Sequence, residues 1–136
     1  MKTGRAGGSD IGIAIGRIAL ALVFLQAGWS KLSSWPGIVH LLTRLHAPYP
    51  TLGGVIAIAC ELLGGAMVAL GFRARFGALI LIAFTIGANW LTHRFWLMHG
   101  ATKSTAEIQF LLDLSICGGL LILASTGPGR LAIDRR

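Results

Sequence analysis

Four long apolar stretches with few polar residues dominate the chain. A helix that crosses a bilayer needs about 20 apolar residues, because the hydrocarbon core is about 30 Å thick and each helical residue adds about 1.5 Å. Gly-rich and polar segments separate the stretches and provide the turns between them. The pattern predicts four membrane-spanning helices, over residues 10–33, 51–71, 76–91 and 107–125.

The segment between the first two spans, residues 34–50, has a different pattern. Prolines bracket it, and polar residues alternate with apolar ones inside it. Its apolar residues recur at helical spacing, at Ile38, Leu41, Leu42 and Leu45. This spacing predicts a short amphipathic helix that lies at the membrane interface between spans one and two.

The composition leaves little room for a soluble domain. Of the 136 residues, 54% are hydrophobic and only 12% are charged, whereas soluble domains average roughly 25% charged residues. We therefore expect one all-α domain, an integral membrane four-helix bundle, over residues 10–126. A flexible cytoplasmic tail, residues 1–9, precedes it, and a basic cytoplasmic tail, residues 127–136, follows it.

The net charge of +7 gives information on orientation. Basic residues stand singly at the ends of apolar runs, a distribution that favours the lipid bilayer as partner and not nucleic acid. Seven of them fall on the side of the predicted topology that holds both termini, and four fall on the opposite side. Under the positive-inside rule, this difference predicts a multi-pass protein of the bacterial inner membrane with both termini cytoplasmic.

Two acidic residues, Glu61 and Asp113, lie inside predicted spans. A carboxylate in hydrocarbon costs at least about 2.5 kcal/mol, so such groups are paired, face a protein interior or serve a function. The predicted topology places Lys31, Asn89 and His93 at overlapping depth in the outer half of the membrane. We expect these five side chains, from four helices, to form one buried, charge-compensated cluster.

Simpler interpretations exist for most of these residues. Lys31 could extend to the headgroups, His93 could be an interface residue, and Asn89 could connect helices. Arg17 is predicted to extend to the inner leaflet. Cys60 and Cys117 are each close to an acid, which leaves both inert packing and a redox pair open. Because the chain has no metal-ligand motif, no metal is expected.

Several motifs together resemble the DoxX family of small bacterial membrane proteins. They are GRIALALVFLQAGWSKL in the first span, CELLGGAMVALGFRARFGAL from the second span into the third, then HRFW, and finally QFLLDLSICGGLLILASTGPGRLAID. The resemblance implies a four-helix bundle with cytoplasmic termini. It carries over the family positions Arg17, Gly28, Lys31, Glu61, Gly64, Gly65 and Arg75. Asp113 departs from the family pattern, in which an amide often occupies this place.

The family takes its name from a subunit of a quinone-linked sulfur-oxidising enzyme, and its members are described as partners in membrane oxidoreductase or thiol-stress complexes. The resemblance therefore implies a subunit of a quinone- or thiol-linked membrane oxidoreductase. Quinone is the candidate cofactor, and because no bound redox cofactor is evident, electrons would come from a soluble or membrane partner protein. A second copy of the chain is a further candidate partner.

The candidate site combines the polar residues of the outer half. The expected catalytic residues are Glu61, Lys31, His93 and Asp113. The expected cofactor-binding residues are Trp96, Asn89 and Gln26, of which Asn89 and Trp96 share a helix face with His93 if the third helix continues that far. Two other classes of function stay open: a non-catalytic scaffold or assembly factor, and a small transporter in which Glu61 carries a proton.

Overall fold

The computed structural model describes residues 7–134, and these are almost entirely helical. Four of the helices are long and apolar enough to cross a membrane. The all-α fold with four candidate spans is thereby confirmed. The elements are α1 (Gly8–Ser33), α2 (Trp35–Arg44), α3 (Pro50–Leu70), α4 (Ala74–Thr92), a short 3₁₀ helix (Phe95–Leu97) and α5 (Gly100–Thr126).

Local sequence signals account for the helix boundaries. At the start of α1, the Asp10 carboxylate accepts a hydrogen bond from the Gly7 backbone N–H, 3.1 Å away. Prolines occupy the first turns of α2 and α3, where a missing N–H costs nothing. Gly71 and Gly127 end α3 and α5 with positive φ angles of 70° and 92°, a conformation that glycine adopts without strain.

The largest difference from the predicted boundaries is at the last helix. It begins at Gly100 and not at residue 107, because the polar segment before the apolar run is also helical. Within this segment the Thr105 hydroxyl donates to the Ala101 carbonyl oxygen at 3.1 Å. A helix needs apolar residues only where it meets lipid, so its polar first turns can extend beyond the hydrocarbon.

The helices pack in sequence: α1 lies against α3, α3 against α4, and α4 against α5. Glycines permit the closest approaches, since a Cβ atom on Gly64 would lie only 2.9 Å from Leu81 Cγ. α1 and α5 meet where Leu20 packs against Gly119, and a Cβ atom on Gly119 would lie 3.2 Å from a Leu20 Cδ atom. The start of α1 and the end of α5 lie at one end of the bundle, which we call the termini end. The opposite end, which carries α2, is the α2 end.

Arg17 corrects one expectation at the termini end. It does not extend to the leaflet surface but is buried, with 4% of its surface exposed. Its guanidinium donates to the backbone carbonyl oxygens of Pro128 at 2.9 Å and Leu131 at 3.0 Å. The reason is that the chain after α5 folds back under the α3–α4 turn, where the Asp134 N–H donates to the Gly71 carbonyl oxygen at 3.1 Å. We call this arrangement the Arg17 clasp.

Candidate functional site

A cavity of about 800 Å³ lies at the α2 end of the bundle. All five α-helices contribute to its wall, which is mainly apolar. Val23, Phe24 and Ala27 line it from α1, and Ile38 and Leu42 line it from α2. Because α1 and α5 both contribute lining residues, the cavity occupies the space between them at this end. Two polar clusters interrupt the apolar wall.

The first cluster is an ion pair between α1 and α3. Lys31 Nζ lies 2.8 Å from Glu61 Oε1 and 2.9 Å from Oε2, so the ammonium group donates to both carboxylate oxygens. Glu61 is 4% exposed. Gly28 brings the two helices close enough, since a Cβ atom there would lie 3.1 Å from the Glu61 Cβ. A buried carboxylate is costly unless paired, and the cation that pairs with Glu61 is Lys31, one of the residues that the predicted topology placed at a similar depth.

The second cluster joins α4 to α5. The Gln109 amide donates to Asp113 Oδ1 at 3.2 Å, and His93 Nδ1 lies 3.9 Å from Asp113 Oδ2. The same Nδ1 is 2.9 Å from both Asn89 Oδ1 and Thr92 Oγ1. Since three oxygen atoms surround Nδ1, the ring proton belongs on Nδ1, and the neutral imidazole keeps Nε2 as a hydrogen-bond acceptor. This tautomer is assigned from the neighbouring oxygens.

Sequence reasoning missed Thr85, which also lines the cavity. Thr85 is only 6% exposed, and its hydroxyl oxygen has no hydrogen-bond partner among the described residues. The Cys117 thiol, a weak hydrogen-bonding group, lies beside it. Thr85, Asn89 and His93 follow at intervals of four residues, so extending the Asn89–His93 spacing one turn backwards would have found it.

Five predicted site residues therefore line one cavity, and a further two do not. The five are Lys31, Glu61, Asn89, His93 and Asp113. Gln26 is exposed on α1. The cavity-lining positions 23, 27 and 31 repeat every four residues and share one helix face, whereas residue 26 lies on a different face.

Trp96 is the second predicted site residue that does not line the cavity. α4 ends at Thr92, so the helical spacing from Asn89 does not reach Trp96. The indole is 43% exposed and lies in an aromatic cluster, with ring centroids 5.4 Å from Trp90, 5.3 Å from Phe95 and 6.4 Å from Phe110. Cys60 and Cys117 are both free thiols. Among residues 7–134, no group of His, Cys, Asp or Glu side chains is arranged to hold a metal ion.

Comparisons with known proteins agree with this picture. The DoxX family model matches residues 12–94. The chain is 36% identical to the inner membrane protein YphA of Escherichia coli over 91% of this chain and 89% of that protein. It is 32% identical to the inner membrane protein YqjF of the same organism over 93% and 92% of the two chains.

The chain is also similar to part of a longer eukaryotic protein. A Surfeit locus protein 4 homolog of Schizosaccharomyces pombe is 37% identical over 89% of this chain, which corresponds to 36% of that longer protein. No solved structure matches the chain. With its four apolar helices and its similarity to two inner membrane proteins over nearly its whole length, the chain belongs to the DoxX family and is a multi-pass protein of the inner membrane.

Proposed function

We propose that the protein binds a lipophilic quinone in the cavity and serves as the quinone-binding subunit of a membrane oxidoreductase. One observation carries the proposal: an apolar cavity of about 800 Å³ has a polar cluster on each of two different walls. Pockets that bind small organic molecules are typically about 300–1,000 Å³, mostly apolar, with a few polar groups that orient the ligand.

The polar clusters suit the chemistry of a quinone head group. A quinone is a flat apolar ring with a carbonyl acceptor at each end. Lys31 offers an ammonium donor on the α1–α3 wall, and the Gln109 amide offers a donor on the α4–α5 wall. The apolar lining between them, including Phe24 and Ile116, suits the ring and its isoprenoid chain.

Quinone reduction also needs protons, and the cavity has groups that exchange them. A quinone that accepts electrons takes up protons in equal number, and carboxylate and imidazole side chains are the usual proton donors and acceptors in proteins. Glu61 lines the cavity from α3, and the His93–Asp113 pair lines it from the end of α4 and from α5. In this proposal, electrons come from a partner oxidoreductase that docks on the membrane subunit.

The ligand is expected to enter from the bilayer. Val23, Ala83 and Gly87 line the cavity and are also exposed on the lateral surface of the bundle. A Cβ atom on Gly87 would have no other atom within 4 Å. A larger side chain at this position meets open space at the edge of the cavity, and we expect it to obstruct the cavity without displacing the helices.

Gly87 and Gly118 allow a matched test. Both are exposed helical glycines at which an added Cβ would meet no atom within 4 Å, but only Gly87 lines the cavity. The full chain is purified in mild detergent from a quinone-containing membrane, and bound quinone is quantified by mass spectrometry. We expect quinone with the wild type and with Gly118→Trp, and its loss with Gly87→Trp. Equal quinone content in all three proteins, or none in the wild type, would refute the proposal.

A further inference from the structure

The two polar clusters differ in how completely their hydrogen bonds are satisfied. Glu61 receives two hydrogen bonds from one ammonium group, so its charge is compensated. Asp113 receives one hydrogen bond, from the neutral Gln109 amide. The nearest basic atom, His93 Nδ1, is 3.9 Å away and lies closer to Asn89 and Thr92. Asp113 therefore has fewer hydrogen-bond donors around its carboxylate than Glu61 has, and it faces the cavity.

Two neighbours of Asp113 on this wall, His93 and Thr85, also have a polar atom without a hydrogen-bond partner within residues 7–134. His93 Nε2 is an acceptor in the tautomer assigned above, and it has no hydrogen bond among the described residues. The Thr85 hydroxyl, buried beside the cavity, is also without a partner among the described residues, and it can either donate or accept a hydrogen bond. His93 and Asp113 are partly buried, with side-chain exposures of 32% and 18%, and an acceptor that is removed from water and stays unpaired costs free energy. The α4–α5 wall would thus be completed by a ligand that donates hydrogen bonds.

We infer that Asp113 binds a phenolic hydroxyl of the ligand, so that the cavity prefers the hydroquinone to the quinone. This inference rests on the proposed function. A hydroquinone presents O–H donors at both ends of the ring, whereas a quinone presents carbonyl oxygens, whose lone pairs are repelled by a carboxylate. Asp113 is then the residue that selects the redox state of the ligand, and Glu61 and Lys31 bind both states.

The size of the preference follows from ordinary hydrogen-bond strengths. A hydrogen bond to a charged acceptor in a buried site changes affinity by roughly 10- to 100-fold. We expect the hydroquinone to bind more tightly than the quinone by a factor in this range. A hydroquinone dimethyl ether, which keeps the ring and loses both donors, should bind no more tightly than the quinone.

The test uses the full chain in lipid nanodiscs under anaerobic conditions. Dissociation constants are measured by calorimetry for a short-chain hydroquinone, the matching quinone and the dimethyl ether. Asp113→Asn keeps the side-chain shape and removes the acceptor charge, and Glu107→Gln is the control because Glu107 is an exposed acid on the same helix outside the cavity. We expect Asp113→Asn to weaken hydroquinone binding and to abolish the preference, and Glu107→Gln to change neither.

Each result decides the question. The three-ligand comparison in the wild type needs no variant, so it stands even if Asp113→Asn fails to fold. If the wild type binds hydroquinone and quinone equally, or the quinone more tightly, this inference is wrong while the proposed function survives. An equal loss of both ligands in Asp113→Asn would also refute it. If no quinonoid ligand binds, the proposed function and this inference fail together.

Discussion

The two ends of the bundle each hold a basic residue of α1 in a buried or half-buried position, but in opposite surroundings. Arg17, at the termini end, is enclosed by the returning chain and donates to two backbone carbonyl oxygens. Lys31, at the α2 end, pairs with a carboxylate and borders a cavity of about 800 Å³. The surroundings of Arg17 are tightly packed, because a Cβ atom on Gly71 would collide with its guanidinium group. The cavity beside the Arg17 clasp, lined by Pro128 and Asp134, is smaller, at about 370 Å³.

The comparison shows how to separate structural from functional polar groups inside a membrane. At the termini end, backbone groups of the chain itself bind the charge, and the neighbouring core residues Val68 and Leu120 are fully buried. At the α2 end, Thr85 and Asp113 have unused hydrogen-bonding capacity beside open space. Arg17 Nε is also without a partner among the described residues, so the contrast lies in the surroundings. Unused capacity beside the larger, apolar cavity indicates a binding site, whereas a charge held by backbone carbonyl groups in a packed region indicates a structural role.

The largest effect is expected from the Arg17 clasp. Arg17→Met removes two hydrogen bonds that the charged guanidinium donates and leaves their two carbonyl acceptors without this donor. The loss should lower the free energy of unfolding by about 3–5 kcal/mol. Thermal unfolding in detergent measures the loss, with Lys103→Gln, an exposed position on α5, as control. An unfolding temperature within 2–3 °C of the wild type (about 1 kcal/mol or less for a chain of this size) would contradict a structural role for Arg17.

The Lys31–Glu61 pair should behave differently because it can be replaced as a unit. Lys31→Met leaves Glu61 buried without its cation and should cost about 2–4 kcal/mol, whereas Lys31→Met combined with Glu61→Leu should recover most of that stability. The double variant should nevertheless bind no quinone. Unfolding curves and quinone content of the three proteins test this. If the double variant is no more stable than Lys31→Met, the pair is not an isolated unit.

Glycine substitutions sharpen the contrast between packed and open regions. Gly64→Ala places a methyl group 2.9 Å from Leu81 Cγ in the helix interface, and overpacking of this kind costs about 1–3 kcal/mol. Gly87→Ala meets no atom and should leave stability unchanged or raise it slightly. The two variants differ only in location, so similar unfolding temperatures would mean that the interface is not tightly packed.

The smallest effect is expected at the edge of the Arg17 clasp. The Asp134 carboxylate accepts a hydrogen bond from the Arg73 backbone N–H at 2.7 Å in an exposed position. Asp134→Ala should lower stability by at most about 1 kcal/mol and leave quinone content unchanged. Loss of quinone in this variant would mean that the two ends of the bundle are coupled.

Part of the candidate site could be predicted from the sequence, because the position of a residue along a membrane-spanning helix gives its depth in the membrane. Lys31, Glu61, Asn89, His93 and Asp113 were predicted to share one depth, and all five line the cavity. Gln26 and Trp96 were placed at suitable depth as well, but Gln26 is on another face of α1 and Trp96 lies beyond the end of α4. Depth is a linear property of the sequence, whereas the direction of a side chain depends on which helix lies beside it.

Hydropathy and the isolated acids therefore determined that this chain spans the membrane four times and that Glu61 needs a partner, since the bilayer penalises every unpaired charge. Only the tertiary structure decided that the partner is Lys31, that Arg17 binds the returning chain and that space remains at the α2 end. These features arise from contacts between residues about 30 to 110 positions apart, and their geometry depends on how close glycines such as Gly28 allow the helices to come.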